Sequence, residues 1–137
     1  EGLKDGTIDA VVTDHAPHEW EEKDQEFNLA PSGFVGLETS VGAMLTHLYH
    51  TGIIDLMSLV NVMSTAQAKI LNLDAGVIAP GKDADLTFLD LDKEWTVDSS
   101  KFYSKGKSTP FDEMIFKGKA AATIVNGKLV MKNGEVL

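Results

Sequence analysis

The stretch AVVTDHAPHEWEEK, residues 10–23, decides the fold, because it carries an apolar run directly into an Asp, two His and a Pro. The run at residues 8–13 (IDAVVT) is short, β-branched and almost without polar alternation. Such a run is typical of a strand covered on both faces, as in a parallel sheet. We therefore predict a buried strand that delivers Asp14 to the carboxyl edge of a parallel sheet, where α/β proteins build their sites.

Composition excludes several classes of function. The 137 residues include 12 Lys and Arg against 21 Asp and Glu, a net charge of −9. Nucleic acids and anionic membrane surfaces reward basic patches, so we expect neither as a partner. There is no Cys, which fits a cytoplasmic protein without disulfides or thiolate metal sites. No apolar run reaches transmembrane length. Because residue 1 is Glu rather than Met, we expect the chain to continue upstream.

The remaining pattern divides the chain near residues 73–81 into a helical first half and a β-rich second half. After a loop at residues 19–36, we predict helices at residues 37–50, at 55–63 with Asp55 as the cap, and at 66–71. The apolar face of the first helix is predicted to consist of Leu37, Val41, Met44, Leu45, Leu48 and Tyr49.

The second half is predicted to consist of strands joined by tight turns. Pro80 and Gly81 indicate one turn, and Asn133 with Gly134 indicates another. The pair Asn126–Gly127 stands between two β-rich runs and predicts a type I′ hairpin, because that turn needs positive φ at both central positions.

Asp14 and the neighbouring histidines are the candidate chemical groups. Asp14 is suited to act as a hard oxygen ligand of a divalent metal, as a general base, or as both in turn. Pro17 prevents a simple helical continuation, so His15 and His18 lie on a loop. An Asp after a strand is also a common turn former, and loop histidines are often solvated. Taken alone, the short motif leaves both interpretations open.

The longer pattern resembles the dihydroorotase family of the amidohydrolase superfamily, of the longer bacterial and multifunctional-enzyme type. The matching pieces follow the family's order: DGTIDAVVTDHAPH, EEK, AP-G--GLET, AKILNLDAGVIAPGKDADLTFLD, STPF and ATIVNGKLV. The resemblance implies an α/β fold. It assigns residues 1–73 to the C-terminal part of a (β/α)8 barrel, meaning its last strand and following helices. It assigns residues 74–137 to part of a small β-sandwich domain.

The resemblance also implies an activity and residue roles. Dihydroorotases are zinc enzymes that interconvert L-dihydroorotate and N-carbamoyl-L-aspartate in pyrimidine biosynthesis. By resemblance, Asp14 binds zinc and is the catalytic acid/base, and His18 binds the substrate carboxylate. Ser32 and Gly33 offer loop contacts to the substrate. Many relatives have Phe in place of Ser32, so the resemblance supports a backbone contact there. For His15 we expect a structural role beside the site.

Two rival functions stay open. One is another cyclic-amide hydrolase, such as a hydantoinase or allantoinase, although His18 matches the dihydroorotase substrate contact. The other is a non-catalytic dihydroorotase-like subunit that scaffolds aspartate transcarbamoylase, although intact Asp14 and His18 favour activity.

The family's other zinc ligands are absent from these residues: an H-x-H pair, a carboxylated Lys and two further His. We therefore interpret the chain as a C-terminal segment that is inactive alone. Its parent is expected to act on a small molecule, to form a homo-oligomer, and to have aspartate transcarbamoylase as a candidate partner.

Overall fold

The computed structural model describes all residues 1–137, with helices in the first half and one sheet in the second. The helices are α1 (Gly2–Asp5), α2 (Trp20–Lys23), α3 (Ser40–Met44 continuing as the π-helical Leu45–Tyr49) and α4 (Leu56–Val60, the π-helical Asn61–Thr65 and Ala66–Ile70 in direct succession). A short 3₁₀ turn covers Ser99–Lys101. The helices predicted in the first half are confirmed, except that the third is the last part of α4. Asp55 caps α4, because its carboxylate accepts from the Ser58 N–H at 2.7 Å.

The second half forms a four-stranded antiparallel sheet in the order β1-β2-β3-β4. Its strands are β1 (Leu86–Thr96), β2 (Ile115–Val125), β3 (Lys128–Lys132) and β4 (Glu135–Val136). Asn126 and Gly127 join β2 to β3 with φ of 49° and 75°, which confirms the predicted hairpin turn. The class of mixed helix and sheet is therefore confirmed.

The strand predicted at residues 8–13 is wrong for this chain, since these residues form no strand ladder. The Val11 N–H donates to the Val62 carbonyl at 2.9 Å, and the Gln67 side chain donates to the Val11 carbonyl, so the segment lies against α4. Val12 is 76% exposed rather than buried. A strand needs a neighbouring strand to share its hydrogen bonds, and all four strands lie beyond residue 85.

Helix α3 packs on β2 and ties the two halves together. Leu45 and Phe116 are fully buried, and the Phe116 ring meets the rings of Trp95 and His47 edge-to-face at 5.7 Å. Leu37 was predicted on the buried face of this helix. It instead precedes the helix and is 60% exposed, so that prediction is wrong. No helix combines the length and apolar character that crossing a membrane requires.

Candidate active site

Asp14 follows the segment at residues 8–13, at the point where the chain meets a second loop, residues 31–36. Its φ of 43° falls in the left-handed region, which costs L-residues roughly 1–2 kcal/mol and is tolerated best by short polar side chains. Its carboxylate belongs to an exposed residue. Directly after it, His15 forms an isolated parallel bridge with Phe34, and the Ala16 N–H donates to the Phe34 carbonyl at 3.0 Å. The bridge anchors the chain directly after the strained residue.

The backbone of the second loop donates a hydrogen bond to the His15 ring. Its Nδ1 accepts from the Gly36 N–H at 3.1 Å, so the neutral ring carries its proton on Nε2. This contact supports the structural role expected for His15, and it aligns the second loop beside Asp14.

His18 and Ser32 are brought together. The His18 Nε2 lies 3.0 Å from the Ser32 carbonyl oxygen, and its Nδ1 lies 3.2 Å from the Glu22 carboxylate. Both partners are acceptors, and only the doubly protonated ring donates to both. The His18 ring thus faces the loop through Nε2 and faces an exposed carboxylate through Nδ1.

Gly33 completes this cluster because no other residue fits its position. Its φ is +117°, and a Cβ there would lie 2.8 Å from the Ala16 Cβ and 3.4 Å from the His18 Nε2. The predicted contact residues Ser32 and Gly33 therefore lie directly against the DHAPH segment. Asp14 precedes Ala16 by two residues and is exposed.

Lys23 lies against the same loop, and no role for it was predicted from the sequence. Its ammonium group is partly buried and donates to the Pro31 carbonyl at 2.8 Å and to the Gly33 carbonyl at 3.0 Å. A single lysine in a polar loop carries no periodic pattern. The one signal for it was the EEK piece among the matching family motifs.

Glu38 connects the site to the loop at residues 102–110. The Ser104 N–H donates to its Oε1 at 2.8 Å, and the Ser104 hydroxyl donates to its Oε2 at 2.9 Å. Partial burial acts to raise the pKa of the Glu38 carboxyl, but the hydrogen bonds from Ser104 hold that pKa below its ordinary value. The same loop approaches the site at Gly106, where a Cβ would lie 3.0 Å from the Pro17 Cβ.

The residues of this chain do not assemble a complete metal site. No three His, Asp or Glu side chains come close enough to hold a metal ion. A catalytic zinc takes about three protein ligands, so these residues do not hold one by themselves. Two surface cavities, of about 520 and 410 Å³, are lined by none of Asp14, His18, Ser32 or Gly33.

Comparison with known proteins shows one family. The amidohydrolase family model matches residues 1–130. A dihydroorotase of Pelotomaculum thermopropionicum is 48% identical over 133 residues, which cover 97% of this chain and 31% of the relative. A dihydroorotase of Geobacter metallireducens is 52% identical over 132 residues, 96% of this chain and 31% of the relative. The resemblance indicated by the motifs is confirmed, and the chain spans about a third of the length of these relatives.

Solved structures agree on the fold. An L-hydantoinase (dihydropyrimidinase) from Arthrobacter aurescens superposes with a TM-score of 0.94 at 40% identity, over 100% of this chain and 32% of that one. A dihydropyrimidinase from Brevibacillus agri superposes with a TM-score of 0.91 at 25% identity, over 99% of this chain and 31% of that one.

Proposed function

The chain belongs to the amidohydrolase family, and we propose that it is the part of a dihydroorotase that carries the acid/base carboxylate and one wall of the substrate site. The observation that carries this proposal is the cluster of His18, Ser32 and Gly33 next to Asp14, within a chain 48% and 52% identical to two dihydroorotases. Because the chain spans about a third of those relatives, the activity is proposed for the full-length protein that contains it.

The proposed reaction is the reversible hydrolysis of L-dihydroorotate to N-carbamoyl-L-aspartate. Asp14 takes a proton from the attacking water and returns it to the ring nitrogen as the amide C–N bond breaks. Asp14 is also the proposed zinc ligand of this chain, and the remaining ligands come from outside these residues. Zinc, when bound, supplies a hydroxide at neutral pH. The chain alone is therefore expected to be inactive.

His18 and the loop recognise the substrate carboxylate. The His18 Nδ1 already faces the carboxylate of Glu22, which is exposed on the surface. A substrate carboxylate that replaces Glu22 there keeps a charge-assisted hydrogen bond to the ring. The backbone N–H groups of Ser32 and Gly33 are further proposed donors to the substrate.

The proposed architecture assigns residues 1–73 to the end of a (β/α)8 barrel and residues 74–137 to part of a β-sandwich domain. The accessible surface is 9455 Å². A compact monomer of 14.8 kDa exposes only about 7,000 Å². The excess supports a chain that is covered by further protein. We further propose a cytoplasmic homo-oligomer, with aspartate transcarbamoylase as a candidate partner.

A hydantoinase is the second candidate, because the Arthrobacter aurescens L-hydantoinase matches the whole chain at 40% identity. Hydantoin itself carries no carboxylate, so a His18 Nδ1 that faces a carboxylate in this structure favours dihydroorotate. A non-catalytic scaffold of aspartate transcarbamoylase is the third candidate. If this candidate is right, the protein turns over neither dihydroorotate nor hydantoin.

The test is turnover of L-dihydroorotate and of hydantoin by the full-length protein, with and without the substitution Asp14→Asn. This substitution keeps the size of the side chain and removes its basicity. It should lower kcat for dihydroorotate by about a hundredfold or more, the scale of a general acid/base group. Asp9→Asn is the matched control, since Asp9 is an exposed carboxylate of the same segment. Faster turnover of hydantoin, or near-normal turnover in Asp14→Asn, contradicts the proposal.

A further inference from the structure

We propose that Lys23 is a positioning residue that, together with His18, orients the backbone N–H groups of Ser32 and Gly33 toward an anionic group of the substrate. This inference rests on the proposed function, because that function supplies the carboxylate. It goes beyond it by assigning a role to the lysine of the EEK piece, for which no role was predicted from the sequence.

Two side chains, those of Lys23 and His18, contact the three consecutive carbonyl groups of residues 31–33. Lys23 Nζ donates to the carbonyls of Pro31 and Gly33, at 2.8 and 3.0 Å. The His18 Nε2 lies 3.0 Å from the carbonyl between them, that of Ser32. The ammonium and the imidazole therefore fix three successive peptide planes.

Fixing a carbonyl also fixes the N–H of the same peptide group. All peptide bonds are trans, and in a trans peptide the C=O and the N–H point in opposite directions. The Ser32 N–H thus points away from the Pro31 carbonyl and its Lys23 partner. The Gly33 N–H points away from the Ser32 carbonyl and its His18 partner. Neither N–H donates to a backbone acceptor of this chain, so both are available to a ligand.

Lys23 is suited to this task for two reasons. An ammonium group has three donors, and two of them already bind carbonyls 31 and 33. Its charge is not cancelled, because none of the four ion pairs of the chain includes Lys23. The residue that orients the loop therefore also adds positive charge beside it, which favours an anion. Gly33, whose φ excludes a side chain, keeps the loop against Ala16.

The test compares Lys23→Met, which keeps the length and removes the donors, with Lys23→Arg, which keeps two donors and the charge. Both are made in the full-length protein, with Lys4→Met as the control, since Lys4 is an exposed lysine of the first helix. We expect Lys23→Met to raise KM for dihydroorotate by about tenfold or more, the scale of losing hydrogen bonds to a charged group, while kcat changes little. Lys23→Arg should restore most of the affinity.

Hydrogen–deuterium exchange of the peptide at residues 31–36 reports on whether Lys23 holds this loop in place, and it requires no turnover. Exchange there should rise in Lys23→Met and stay near wild type in Lys23→Arg and Lys4→Met. Increased exchange with an unchanged KM overturns the substrate role, and unchanged exchange in Lys23→Met overturns the positioning role. If the full-length protein does not turn over dihydroorotate, the proposed function fails on its own. The inference then depends on whether N-carbamoyl-L-aspartate slows exchange at residues 31–36 in wild type but not in Lys23→Met; no slowing overturns it.

Discussion

Gly118 in β2 is where helix α3 comes closest to the sheet, and we expect Gly118→Ala to destabilise the fold strongly. Its φ is +99°, and a Cβ there would lie 2.5 Å from the Leu45 Cδ1 and 2.9 Å from the Leu45 Cβ. Carbon atoms pack at about 3.5–4.0 Å, so the helix must move by about 1 Å. Leu45 is fully buried, and because protein interiors are closely packed its side chain has little room to turn.

The magnitude has two parts. A positive φ costs an L-residue roughly 1–2 kcal/mol. Forcing one extra methyl group into a packed core costs roughly 1–3 kcal/mol. Gly118→Ala should therefore lower the free energy of unfolding by roughly 2–5 kcal/mol. Gly52→Ala separates the two parts, because Gly52 has a φ of +71° and a Cβ added there would meet no atom within 4 Å.

Urea unfolding of both variants at one protein concentration measures the difference, which should be roughly 1–3 kcal/mol. A double variant sharpens the assignment. In a Leu45→Ala background the Cδ1 and Cγ contacts are gone, so Gly118→Ala should cost clearly less than in the wild type. Equal losses for Gly118→Ala and Gly52→Ala, or no coupling to Leu45, would refute the reasoning that α3 and β2 are in direct contact here.

Two further predictions concern the site. His18→Ala in the full-length protein should raise KM for dihydroorotate by roughly ten- to a hundredfold, the loss of one hydrogen bond to a charged group, with zinc content retained. Loss of zinc would make His18 a ligand instead. Because the folded state holds the Glu38 pKa below its ordinary value, the stabilisation it gives is present at neutral pH and is lost as pH falls through that lowered pKa. The unfolding midpoint of Glu38→Gln should therefore lie below that of the wild type at pH 7 and converge with it in acid; a gap that does not change with pH contradicts this.

The sequence by itself determined the local elements of this chain and its family. The hairpin at Asn126 and Gly127, the cap at Asp55 and the positions of α3 and α4 follow from φ preferences, side-chain caps and helical periodicity. These are interactions between residues near one another in the chain, so a sequence pattern reports them directly. The order of the motifs indicated the amidohydrolase family, and the match to known proteins confirmed it.

Only the tertiary structure decided which distant groups meet. Whether residues 8–13 form a strand depends on a neighbouring strand, and this chain offers none, so their backbone bonds to α4 instead. The exposure of Leu37 depends on where α3 begins. His18 and Lys23 contact the carbonyls of residues 31–33 only because the chain folds back on itself over 8 to 14 residues. Hydrogen bonds between loops have no repeating spacing, because each depends on the path of the whole chain, and so no sequence pattern predicts them.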